Sequence, residues 1–171
     1  MSGRIALRMK TLYVMRHAKS SWDDASMADF DRPLNERGKQ AAPFMGGLMR
    51  RLQMLPEIIV SSPAKRARST AKRVCEGGSL AAEVIFDERI YEASPNALRE
   101  IVADLDEAYS SAMLVGHNPG MEGFIRYLTG HIEPMPTAAI AVVELDIERW
   151  ADITGECGEL KEIFRPKDEM S

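Results

Sequence analysis

Short apolar runs that do not alternate constrain this chain most. Thr11-Leu12-Tyr13-Val14-Met15, Glu57-Ile58-Ile59-Val60-Ser61 and Ala112-Met113-Leu114-Val115-Gly116 offer no regular polar face. A strand that is apolar on both sides must be covered on both sides, as in a sheet lying between helices. Ala82–Phe86 and Ala138–Leu145 bring the expected strands to five. Helical spacing fills the intervals. Residues 36 to about 52 place Ala41, Phe44, Leu48 and Leu52 on one stripe, opened by Asn35 or a polar neighbour. Pro43 lies inside that span and predicts a kink or a different start. Pro63 suits the first turn of a helix over about 64–75, with Gly77-Gly78 as its stop. Pro95 opens a helix through about Leu105, and the Asn118-Pro119-Gly120 turn leads into a helix over about 120–129 that ends at Gly130. Trp150–Ile153 reads as an edge strand beside the fifth strand, and the charged tail from Pro166 as frayed.

This alternation predicts an α/β fold of three layers, helix/sheet/helix. The central sheet is expected to be mostly parallel, with an antiparallel edge strand near the carboxyl end. The 171 residues suit a single domain spanning 1–171. A chain of that size buries roughly 70% of its extended surface and needs no disulfide or structural metal to hold a core. A hydrophobic fraction of 45% and a charged fraction of 28% exclude a disordered or collagenous chain. Cys75 and Cys157 form no CxxC pair and have no histidine at zinc spacing, so no metal site is expected. Two thiols in a reducing compartment, or one disulfide between them, both fit. Arg8 and Lys10 interrupt the apolar character of the amino terminus, and no later run approaches a membrane span. A cytoplasmic location with no membrane partner is expected. The formal charge of -4 argues against nucleic acid as a partner.

Chemistry gathers at strand ends. The first strand runs into Arg16-His17 and the fourth into His117. The second leads through Ser61-Ser62 to a helix whose first turns hold Lys65 and Arg66. In a mostly parallel sheet these ends share one edge, where α/β proteins place their sites. Arginine matches phosphoryl oxygens bidentately, and a helix amino terminus adds backbone donors. A neutral histidine can act as nucleophile when its other ring nitrogen is held by a hydrogen bond. The set therefore reads as a phosphate site. His131 follows Gly130 in a loop and shares none of this placement.

At this level of detail the chain resembles the histidine phosphatase superfamily, whose fold is also called phosphoglycerate mutase-like, and within it the small SixA-like phosphohistidine phosphatases. MRHAKSSW at 15–22, DFDRPLNERGKQAA at 29–42, SSPAKRARSTA at 61–71, YEAS at 91–94 and LVGHNPG at 114–120 carry the resemblance in the family's order. The resemblance implies His17 as the nucleophile that becomes phosphohistidine. It implies Arg16 and Arg66 as phosphate-binding arginines and His117 as the second pocket histidine. Ala18 stands where the wider superfamily has glycine. For a general acid, Glu88 sits best in the register of the mutases, with Glu92 as a weaker candidate, although SixA-like enzymes are thought to work without one. Ser20 and Asp23 fall in a variable loop that often supplies polar pocket residues. Asp29 and Asp31 read as loop organisers, with Arg32 or Arg37 as ion-pair partners, and Trp22 and Phe30 as loop anchors. Arg68 and Arg73 read as surface residues.

The activity so implied is that of a metal-independent phosphatase with no cofactor. It would act on phosphohistidine of a protein such as a histidine phosphotransfer domain and release inorganic phosphate. A small phosphate ester as substrate, or a phosphate-binding module without turnover, are the alternatives. Imidazole is a far weaker base than an alkoxide, with a pKa near 6.5, so a phosphohistidine substrate demands less of a general acid.

Overall fold

In a computed structural model describing residues 9–171, the five expected strands form and a sixth joins them. They are β1 (Lys10–Arg16), β2 (Ile58–Ser61), β3 (Glu83–Phe86), β4 (Ser111–Gly116), β5 (Ile140–Leu145) and β6 (Gly158–Phe164). The helices are α1 (Glu36–Arg51), α2 (Lys65–Gly78), α3 (Pro95–Ala103), α4 (Gly120–Thr129) and a closing turn, α5 (Pro166–Glu169). The sheet order is β3-β2-β4-β1-β5-β6. The first four of these strands pair in parallel, and β5 and β6 pair antiparallel. From β1 the chain steps to β2 and β3 in one direction, then returns past β2 to β4. Right-handed crossovers therefore put α1 and α2 on one face and α3 on the other. The two hydrophobic clusters follow that division. One lies under α1 and α2 around Met15, Met45, Met49 and Val74, the other under α3 and α4 around Leu98, Met121, Phe124 and Leu128.

Three local expectations change. First, Gly77 and Gly78 do not stop α2. A Cβ on Gly77 would lie 2.1 Å from the Pro43 carbonyl oxygen, and one on Gly46 would lie 2.1 Å from that of Val74. These glycines let α1 and α2 touch through their backbones, and the helix ends one residue later at Ser79, which is left-handed with φ 49. Second, Pro43 sits within α1 rather than at its start, and Asn35 is the cap, accepting from the Gly38 amide at 2.9 Å. Third, Trp150–Asp152 is a 3-10 turn, not an edge strand. Trp150 is fully buried there, its indole N–H donating to the Tyr109 carbonyl at 2.9 Å. A buried tryptophan needs that partner, and the burial contributes roughly 1.5–3 kcal/mol.

The edge strand beside β5 is β6, with charged Glu159, Lys161 and Glu162 exposed along it. Its register slips between Val142 and Val143, leaving Lys161 as the extra residue of a bulge. That break in alternation hides the strand from a reading of periodicity. The carboxyl tail, expected to fray, forms the turn α5. Both cysteines are free thiols. Among the described residues no helix is long and apolar enough to cross a membrane.

Candidate active site

The parallel strands end together at one sheet edge and deliver Arg16, Ser61 and Gly116 side by side. Backbone bonds extend the ladder past the strands. The His17 amide donates to the Gly116 carbonyl, and the Ser62 amide to that of Val115, each at 2.9 Å. Residues 18–35 then leave the sheet and return. A bridge between Ser20 and Leu34 closes this excursion, which brings Trp22, Asp29 and Arg32 over the strand ends. The resulting cavity of about 460 Å3 is lined by Arg16, His17, Arg66 and His117 together with Asp29, Arg32 and Tyr91.

His17 is 6% exposed. Its Nδ1 lies 2.7 Å from the Ala18 carbonyl oxygen. Because a carbonyl only accepts, Nδ1 carries the proton and Nε2 keeps its lone pair. Burial is the main force that pushes the His17 pKa down, to about 3, and His117, Arg66 and Arg16 add to it. The ring is therefore neutral at neutral pH, the form a nucleophile needs.

His117 sits with its ring centroid 5.1 Å from that of His17. Its Nε2 lies 2.7 Å from the Ser62 hydroxyl, which also accepts the Ala64 amide at 3.2 Å. Burial first, and Arg66 second, pull the His117 pKa down to about 4. Its Nδ1 is buried with no partner among the described residues, and so are Nε of Arg16 and Nε of Arg66. All three residues line the cavity, with these three atoms closed off from solvent inside its wall. An unpaired buried donor is unfavourable by about 1–3 kcal/mol, more when charged, and the two guanidinium cations favour an anion in the cavity that they line.

Asp29 organises the arginines. Its carboxylate accepts from the Tyr91 hydroxyl at 2.5 Å, from Arg66 at 3.0 Å and from Arg32 at 3.1 Å. The Asp29 carbonyl oxygen also accepts from Arg66 at 2.6 Å. The Tyr91 hydrogen bond, with Arg66 behind it, lowers the Asp29 pKa to about 2. The carboxylate is therefore ionised at neutral pH in the free protein. Thr70 joins helix to strand end: its hydroxyl accepts the Ala18 amide at 2.9 Å and donates to the Arg66 carbonyl at 2.7 Å. Across the cavity, Arg16 and Asn118 both donate to the Met135 carbonyl, and Asn118 also donates to Glu122. Burial pulls the Arg16 pKa down, and the Glu122 charge works against that shift.

The two general-acid candidates separate. Glu88 opens a 3-10 turn anchored by buried Ile90, is itself exposed, and does not line the cavity. Glu92 does line it, in a left-handed conformation with φ 55. Ser20 lines the cavity and accepts from Arg32 at 2.6 Å, whereas exposed Asp23 does not line it. Trp22 is no buried anchor. It is 73% exposed, with the Arg32 guanidinium 3.6 Å from its ring centroid. Phe30 packs edge-on against Tyr91 at 5.3 Å. Sequence reasoning left Ser62, Thr70 and Tyr91 without roles. Each lies inside a recognised motif, but its hydrogen-bond partner is remote in sequence.

A neutral imidazole with one free nitrogen, set among buried cationic donors at the carboxyl edge of a parallel sheet, defines a phosphoryl-transfer pocket. The chain belongs to the histidine phosphatase superfamily, branch 1, whose family model matches residues 12–122. It is 32% identical over 152 residues to an uncharacterised chloroplastic protein of Arabidopsis thaliana, covering 84% of this chain and 70% of that protein. A protein assigned as the phosphohistidine phosphatase SixA of Agrobacterium tumefaciens superposes with a TM-score of 0.79 at 27% identity, over 92% of this chain and 98% of the other. The protein histidine phosphatase SixA in complex with tungstate shares the fold at a TM-score of 0.81 and 22% identity, over 92% and 98% of the two chains. A mycobacterial glucosyl-3-phosphoglycerate phosphatase shares it at 0.66 and 17% identity, over 90% and 97%.

Proposed function

We propose that this protein is a phosphatase that removes the phosphoryl group from phosphohistidine on a protein, through a covalent phosphohistidine at His17. The observation that carries this reading is the Nδ1 bond of His17 to the Ala18 carbonyl, which leaves Nε2 free in a cavity that Arg16, Arg66 and His117 also line. His17 Nε2 attacks phosphorus in line as the bond to the substrate imidazole breaks. The arginines neutralise the equatorial oxygens. A bound phosphoryl group favours the cationic form of His117, which then adds to the positive charge around it. The substrate ring, protonated by solvent on its other nitrogen, keeps the electron pair of the broken N–P bond and leaves as neutral imidazole. Water attacks phospho-His17, releases inorganic phosphate and restores the free ring.

The preference for phosphohistidine rests on the placement of the carboxylates. Asp29 is held ionised at the cavity wall, and Glu88 stands outside it. An imidazole leaving group tolerates that arrangement better than an alkoxide does. The likeness to the Agrobacterium protein supports the same class. One observation favours a second reading: Glu92 lines the cavity, and a carboxyl group there suits a small phosphate ester.

Hydrolysis of a phosphohistidine peptide, a phosphoserine peptide and an aryl phosphate by wild type, His17→Ala and Glu92→Gln decides between them. The expected result is preferred turnover of phosphohistidine, abolished by His17→Ala and unchanged by Glu92→Gln. Preferred ester turnover that Glu92→Gln lowers at least tenfold would move the substrate to small esters. Activity surviving in His17→Ala would remove the nucleophile.

A further inference from the structure

A groove of about 560 Å3 runs between α2 and the edge strand β3. Its floor is apolar. Val84 and Phe86 alternate onto the α2 side of β3, next to Cys75 of the helix. Phe86 is 52% exposed. The rim is cationic. Lys65, Arg68 and Lys72 recur at i, i+3 and i+7, which places them along one face of α2. All three are exposed, and none has an ion-pair partner among the described residues. The carboxylate on the rim is Glu76. On a chain with a formal charge of -4, this is a local reversal of sign over an uncovered apolar strip. The same helix links the groove to the cavity: its opposite face carries Arg66, bound to Asp29, and Thr70.

We propose that this groove docks an acidic amphipathic helix of the histidine-phosphorylated protein substrate, a reading that rests on the phosphohistidine assignment above. The three cations span about 10 Å at the helical rise of 1.5 Å per residue. A helix laid along α2 repeats its own Asp and Glu at the same pitch, and its apolar face covers Val84 and Phe86. Seating that helix raises the effective concentration of the tethered phosphohistidine at His17. The device selects a carrier protein over the many small phosphates that fit the cavity alone.

The test uses one phosphohistidine peptide in three forms: unfused, linked to an acidic amphipathic helix, and linked to a basic one. The readout is KM of each fusion relative to the unfused peptide, measured within each enzyme. For wild type the acidic fusion is expected to lower KM roughly tenfold, with no gain for the basic one. Lys65→Glu/Arg68→Glu/Lys72→Glu removes the gain, whereas a charge-matched control, Arg126→Glu/Arg149→Glu/Lys161→Glu, retains it. No gain in wild type, or an equal gain in both triple variants, overturns the proposal. Self-association of wild type that the first triple variant alone abolishes assigns the groove to a second copy and also overturns it. If no form hydrolyses phosphohistidine, the functional reading fails, and docking is read from fluorescence anisotropy of the unphosphorylated helices. Binding of the acidic helix that the first triple variant alone loses supports the groove, and equal binding by both variants overturns it.

Discussion

β1 and β4 lie side by side in parallel register, Arg16 opposite Gly116, and each runs straight into a histidine of the cavity. His17 is tied by Nδ1 to the carbonyl of its own neighbour, Ala18, an acceptor fixed in the backbone. His117 is tied by Nε2 to the hydroxyl of Ser62, which rotates and can either give or take the proton. The first arrangement locks one tautomer and one free nitrogen. The second leaves the ring able to change protonation as an anion arrives. The residues before the histidines also differ. Arg16 adds charge, whereas a Cβ at position 116 would lie 2.7 Å from Met121 Cε and 2.8 Å from Ile90 Cγ2. On the proposed reading, the β1 end suits attack and the β4 end adjustable binding.

The sharpest way to break this comparison is to exchange the losses. His17→Ala should lower turnover of a phosphohistidine peptide by more than about 1000-fold and abolish acid-labile labelling of the protein by substrate phosphoryl. His117→Gln should lose about 100-fold and still label, as expected for removal of one oxyanion donor. Equal losses, with labelling absent from both, would show that the two histidines act as one unit.

Thr70→Val asks whether the β1 end needs its tether to α2. The variant leaves the buried Ala18 amide without its acceptor. A loss of about 1–3 kcal/mol in urea unfolding is expected, along with a drop in kcat of about tenfold. Stability and kcat that both stay at wild-type values would show that Thr70 does not position the His17 loop.

Asp29→Asn asks how far charge in the cavity is balanced against the arginines. Removing the anion frees Arg66, so inorganic phosphate should inhibit several-fold more tightly while kcat falls several-fold. Weaker phosphate inhibition would contradict the role given to Asp29.

A change of pH probes both rings at once, without a substitution. The folded pKa values of His17 and His117 lie below the ordinary 6.5, at about 3 and about 4. Below pH 6.5 the unfolded chain binds protons that the folded one refuses. Stability from these rings is therefore whole above pH 6.5 and declines as pH falls toward 3–4. Urea midpoints at pH 7.5, 6 and 5 should fall in that order, and His117→Gln should flatten the slope. On the same grounds kcat/KM should show no acidic limb from His17 above about pH 4. A limb near 6.5 would mean the ring is less buried than the structure places it.

Much of this molecule is legible in its sequence because the signal is local. Non-alternating runs mark β1, β2 and β4, Asn35 marks the start of α1, and Arg16, His17, Arg66 and His117 sit at strand ends or in a first helical turn. What escaped reading depends on partners far along the chain. The Gly77-Gly78 pair looks like a helix stop until Pro43 and Gly46 of α1 lie against it. β6 is masked by its bulge, and Trp150 by a burial that only the Tyr109 carbonyl makes favourable. Glu88 fits the register of an acid, but anchoring of Ile90 leaves it outside the cavity.

The amino-acid sequence by itself determined the layered sheet, the edge at which chemistry gathers, and the types of residue gathered there. Periodicity and strand-end placement are properties of neighbours in the chain. Tertiary structure decided which nitrogen of His17 is free, that Asp29 joins Arg32, Arg66 and Tyr91, and which of two glutamates faces the cavity. Those are properties of hydrogen bonds and burial between segments that meet only when the sheet has closed.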